Sequence, residues 1–229
     1  MKIRVHKLVV IVCLTCSWHS YGFETCGDLA NHYGPYDYWV DKGKLPIVEQ
    51  HHFTPKVEAL KGGQEGYIGG DLDYTLHTFP NHPRALVAMM RLAEKEKKTV
   101  PLGAKYPVDC YFDRAIRFRP KDGTVRMIYA TFLSKQGKKS EAVKQLEVAQ
   151  EAGSSGPNMD YNMGLAYLEV GDFEKSLMYA HRAYQAGFNL PGLKGRLIKA
   201  GKWREPPEVQ AAVAKSEAPE VLEKPAPTK

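Results

Sequence analysis

Cysteine and tryptophan are scarce in this 229-residue sequence, which holds four of the first and three of the second. Two of the cysteines, Cys13 and Cys16, lie in an apolar amino-terminal run, so their C-x-x-C spelling is that of an apolar stretch and not of a metal knuckle. That run, Leu8 to Cys16 (LVVIVCLTC), is about half the ~20 residues a bilayer span needs, which argues against a retained membrane anchor. Catalytic signatures are missing as well. No G-x-S-x-G elbow, H-E-x-x-H helix, Walker loop or paired zinc-type cysteine motif occurs. Gly62-Gly63-Gln64-Glu65-Gly66 is glycine-rich, but no Gly-Lys-Ser/Thr follows, so it reads as a tight turn. These gaps point away from an enzyme and from a resident cofactor.

The amino end has the layout of a secretory signal over residues 1–22. Lys2, Arg4 and Lys7 precede the apolar run, and Ser20-Tyr21-Gly22 places small residues where a signal peptidase cuts. Neither Cys13 nor Cys16 follows the small residue that a lipoprotein signal needs. Removal of those three cations lowers the net charge from +6 to +3, too mild a balance to imply nucleic acid. Cys26 and Cys110 remain. In an oxidising compartment such as the periplasm two cysteines imply one disulfide, the alternative being two buried thiols. Closing so long a loop is worth roughly 4 kcal/mol in the chain-entropy account.

The carboxyl-terminal half carries an internal period. Shifted by 34 residues, Gly171 falls on Gly137, Ala183 on Ala149, Leu177 on Val143, Ser176 on Ala142, Gly164 on Ala130 and Tyr167 on Leu133. Small residues recurring at one phase of such a period mark a helix-turn-helix array. Gly137 supplies the left-handed residue that ends one helix, and Ser140 is the expected N-cap of the next. Gly164 with Ser176, and Ala130 with Ala142, let the helices of a pair approach closely.

Upstream the pattern loosens. Residues 23–48 show no helical period and hold Tyr33, Tyr36, Tyr38 and Trp39, rings that belong packed over helices and not in a free arm. Thr54-Pro55 is a helix start, and Gly62-Gly63 a turn before a helix over 67–79. Pro80 and Pro120 are spaced 40 apart, and the extra residues fall in a long charged turn over 94–107. Residues 190–203 are amphipathic and suit a capping helix, whereas 204–229, dominated by Pro, Glu, Ala and Lys, form an expected disordered tail.

Met163-Gly164 and Tyr167, with Phe112, Ala115, Leu72, Pro80 and Pro120, resemble the tetratricopeptide repeat family, although Asp160 replaces its Trp, Ser176 its Ala, Ala180 its Phe and Phe188 its terminal Pro. The resemblance implies an all-α, tetratricopeptide-like solenoid over 49–203, with hairpins at 49–80, 83–120, 123–154 and 157–188 and a carboxyl-terminal cap. It further implies that first helices line a concave surface. The inward columns would hold Arg84, Val87 and Arg91, then Thr124, Met127, Thr131 and Lys135, then Asn158, Tyr161 and Leu165. From these a partner groove of Arg84, Arg91, Met127, Thr131, Lys135, Asn158 and Tyr161 is expected. Arg84 and Arg91, two turns apart, suit a carboxylate or acidic peptide.

A second constellation is His51, His52, Asp71, Asp73, His77 and His82. Asp73 and His77 share a helical face, as metal ligands do, but the same spacing makes an ordinary i,i+4 pair, and no second short-spaced ligand pair accompanies it. The expectation is therefore an exported, non-enzymatic scaffold or assembly factor of an envelope, secretion or pilus-type complex, holding a protein or peptide. A periplasmic small-ligand or metal-binding accessory protein is the alternative.

Overall fold

The structure, a computed structural model, describes residues 26–153 and 155–206. Among these residues the fold is all-α, with ten α-helices and no strand. The expected signal segment and most of the expected tail lie outside the described residues.

Three helix pairs follow the sequence reading closely. The first joins α4 (Pro83–Glu96) to α5 (Val108–Phe118), the second α6 (Gly123–Lys135) to α7 (Lys139–Glu151), and the third α8 (Pro157–Val170) to α9 (Phe173–Gln185). Each first helix begins where local chemistry satisfies free backbone donors. Proline stands in the first turn of α4 and α8, while His82 caps α4 and Asp122 caps α6 through their side chains. Gly137 (φ +78°) and Gly171 (φ +90°) adopt the left-handed conformation that stops α6 and α8. Ser140 is not the cap of α7. That helix begins at Lys139 with Lys138 in the N-cap position and no side-chain hydrogen bond there.

Close approach explains the small residues. Ser176 Oγ donates to the Gly164 carbonyl at 2.8 Å, and a Cβ on Gly164 would stand 2.5 Å from Leu193 Cδ2 and 3.3 Å from the Ser176 carbonyl oxygen. Ala130 and Ala142 are buried at the equivalent crossing of α6 and α7. The first helices of successive pairs adjoin, with α6 lying between α4 and α8. A cap, α10 (Pro191–Lys199), covers α8 and α9 with Leu193 and Leu197. Arg204 then pairs with Glu174 and Lys194 with Glu205 at 3.2 Å, so the first residues of the expected tail rest against the cap region.

The amino-terminal part departs from a two-helix hairpin. It has three pieces: α1 (Leu45–His52), α2 (Pro55–Glu58, capped by Thr54) and α3 (Ile68–Thr78). Helix α1 therefore starts inside the segment read as irregular. Leu45 and Val48 bury against Phe79 beneath Tyr33, Tyr36 and Tyr38, so tertiary burial supplies what sequence periodicity lacks. Glu94 also belongs to α4, which runs to Glu96 before Lys97 turns left-handed at φ +54°.

Residues 26–41 are fastened to the helices along their length. Cys26 and Cys110 form a disulfide. Arg114, fully buried on α5, donates to the carbonyls of Cys26 (3.2 Å) and Asp28, and Arg117 donates to that of Gly27 (2.9 Å). Farther on, Asn31 Nδ2 donates to the His77 carbonyl and Tyr36 N–H to the Thr78 carbonyl, both at 2.8 Å.

Candidate functional site

An open groove of about 1260 Å³ runs across the amino-terminal halves of α6 and α8 and along α4 as far as Arg91. Helix α4 contributes Arg84, Val87 and Arg91, α6 contributes Thr124, Met127 and Ile128, and α8 contributes Asn158, Met159 and Asn162. The turn between α5 and α6 adds Arg119, Lys121 and Asp122, and Trp39 forms a wall from outside the repeated pairs.

Trp39 is held by a buried polar network at the start of two helices. Asp122 Oδ1 accepts from Thr124 N–H and Val125 N–H, both at 3.1 Å, which caps α6. Its Oδ2 accepts from Trp39 Nε1–H at 2.8 Å and from Asn81 Nδ2 at 3.1 Å. Asn81 also donates to Asp37 Oδ1 (3.3 Å) and accepts from Tyr38 N–H (3.0 Å), and Arg119 Nε lies 2.7 Å from Asp37 Oδ2. Because Asp122 and Asn81 are each bonded through both side-chain polar atoms, they fix one geometry for the indole. Trp39 nevertheless stays 47% exposed, with one side available to the groove.

His82 is the matching cap one pair earlier. It is fully buried between Tyr38 and Phe53, with ring centroids 4.7 Å from each. Ala85 N–H donates to Nδ1 at 3.1 Å, so the proton sits on Nε2 and is donated to Glu49 Oε1, also at 3.1 Å. Burial outweighs Glu49 and lowers the imidazole from 6.5 to about 4.

Of the expected groove residues, Arg84, Arg91, Met127 and Asn158 line the cavity together. Three do not. Lys135 pairs with Glu94 at 2.7 Å at the far ends of α6 and α4, and Thr131 lies on the same rising stripe, its hydroxyl donating to the Met127 carbonyl. Tyr161 is buried toward α10, where its hydroxyl accepts from Leu193 N–H at 3.1 Å. Helix phase explains Tyr161. Asn158 and Asn162 are one turn apart on the groove face, and Tyr161 is rotated off it toward the cap.

The charges in the groove are unequal in availability. Arg84 makes a two-nitrogen pair with Glu58 and lies 3.5 Å from Glu49. The Arg84 hydrogen bond outweighs burial in holding the Glu58 carboxyl below its usual range. Arg91 and Lys121, both exposed, make no ion pair among the described residues. Lys121 was not legible as a site residue, because it lies in a turn and not on an inward column.

The histidine and aspartate constellation separates into local pairs. His52 Nδ1 lies 3.1 Å from Asp71 Oδ1, and His77 Nδ1 lies 3.3 Å from Asp73 Oδ2. Tyr111 and the Lys105 N–H also donate to Asp73, fastening the long turn; burial pushes the carboxyl up, but the bonds from His77 and then Tyr111 outweigh it and leave the group below its usual range. Among the described residues no three His, Cys, Asp or Glu side chains converge as metal ligands would. No described helix is long and apolar enough to cross a membrane.

Compared with models of protein families, with curated proteins and with solved structures, the chain matches none.

Proposed function

We propose that the chain is an exported interaction module, a tetratricopeptide-like solenoid that holds a segment of a partner protein in the Trp39-walled groove and acts as a scaffold or assembly factor in the periplasm. The observation that carries this reading is the groove itself: three consecutive first helices present one exposed face, and their apolar floor and uncommitted polar groups are left open. The adjoining order of α4, α6 and α8, the glycine turns and the Gly164–Ser176 crossing support the solenoid. The disulfide and the layout of residues 1–22 support export. The absence of a catalytic motif and the local pairing of the histidines favour binding over chemistry.

Site-specific photo-crosslinking in cells tests it. A crosslinking residue at Thr124 or Asn158 should yield a discrete protein adduct that Arg91→Glu abolishes, while the same residue at Lys144, exposed on α7, should not. Equal adducts from all three positions would contradict a groove-specific partner.

A further inference from the structure

Resting on that reading, we infer that the groove selects an extended peptide whose carboxylates meet Arg91 and Lys121 and whose aliphatic side chains cover the accessible apolar surface of Trp39, Val87 and Met159. The argument is one of charge complementarity over an apolar floor. Four cations line the groove: Arg84, Arg91, Arg119 and Lys121. Two are committed, Arg84 to Glu58 and Arg119 to Asp37. The lining carboxylates are Glu58, paired with Arg84, and Asp122, buried with both oxygens accepting hydrogen bonds. The exposed charge left without an ion-pair partner is therefore positive, on Arg91 and Lys121.

Two further features favour a peptide. At about 1260 Å³ and open along its length, the groove exceeds the ~300–1,000 Å³ of a usual small-molecule pocket. Asn162 Nδ2 is taken up by the Asn158 carbonyl and side-chain oxygen, so on these two lining residues Asn162 Oδ1 and Asn158 Nδ2 remain for a backbone amide. Charge-assisted hydrogen bonds to Arg91 would give direction, and the apolar floor would give affinity.

The test is selection of a random displayed 12-mer library on the full chain, followed by fluorescence anisotropy with the recovered peptides. The inference expects enrichment of sequences with two or more Asp or Glu flanking aliphatic residues. It further expects about tenfold weaker binding for Arg91→Glu and for Lys121→Glu, a similar loss when the peptide acids become Gln or Asn, and weakening as salt is raised. Both substitutions are at exposed positions, and thermal melts confirm that each variant is folded. Groove-binding peptides without acidic enrichment, still blocked by Asn158→Trp, would overturn this inference and leave the interaction-module reading standing. Binding indifferent to Asn158→Trp, Arg91→Glu and Lys121→Glu would sink both. Binding seen only after deletion of residues 207–229 would mean that the chain fills its own groove, and the inference of a separate partner would fall.

Discussion

Single residues decide how this molecule responds to acid. His82 is neutral in the fold down to about pH 4 because protonation would place a charge between two rings and break the hydrogen bond from Ala85. In the unfolded chain it takes up a proton near 6.5. Its folded pKa is thus depressed, so protons favour unfolding. The stability tied to neutral His82 is intact above pH 6.5 and is lost as pH falls toward 4, on the order of 3 kcal/mol in total. Glu58 and Asp73, whose carboxyls are held low, keep their contributions until pH falls into the ordinary carboxylate range and lose them from there down to their lowered folded values. Urea melts between pH 7 and 5 should therefore show a slope due to His82. His82→Asn keeps a capping side chain and removes the titration. The variant should be roughly 1–2 kcal/mol less stable at pH 7 through lost ring packing, with that slope gone. A slope that survives would contradict the assignment. Nothing in the sequence marks His82 as buried. Its signal, visible only in retrospect, is that Pro80-Asn81-His82 and Pro120-Lys121-Asp122 place a cap at the same step after proline.

Helices and their crossings account for what was legible in the sequence. The pairs α4–α5, α6–α7 and α8–α9 fall within the expected hairpins because glycine stops, capping residues and small-residue contacts all repeat locally. Gly164 shows the energetic side of that repetition. Its Cα hydrogen faces the backbone of α9 and the Leu193 side chain, so α8 can approach α9 only while the position is small. Gly164→Val should cost about 1–3 kcal/mol by overpacking this crossing, read as a lowered denaturant midpoint with an unchanged slope, whereas Gly195→Ala on α10, with open space around it, should be neutral or better. Equal effects would mean that the crossing is not tightly packed. Helix α1 was not legible, since its apolar residues take their meaning from Phe79 and the tyrosines far along the chain. The position of Tyr161, Thr131 and Lys135 outside the groove lining has a related cause. An inward column names a helix stripe, but the groove occupies only the amino-terminal half of the α6 and α8 stripes, and α10 claims a neighbouring face of α8.

At the scale of the whole molecule, the repeated pairs supply a floor and the irregular amino-terminal segment supplies a wall. The disulfide, the Arg114 and Arg117 contacts, and the Asp37–Asn81–Asp122 network hold that segment across the ends of successive helices and deliver Trp39 to the groove. This long-range arrangement has no periodic trace, and so the lining of the candidate groove was half readable: Arg84, Arg91, Met127 and Asn158 from helix phase, Trp39 and Lys121 only from the fold. The central claim is that this walled groove is where the chain binds. The most direct measurement is chemical-shift mapping of the full chain with a library-selected acidic peptide, following the Trp39 indole N–H, the methyls of Met127 and Met159, and the amides around Arg91 and Lys121. The account predicts saturable shifts clustered at those groups. Shifts confined to the exposed Tyr67, Val100 and Leu102 side chains or to the Leu190 and Ile198 face of the cap, with Trp39 and Met127 unmoved, would contradict it.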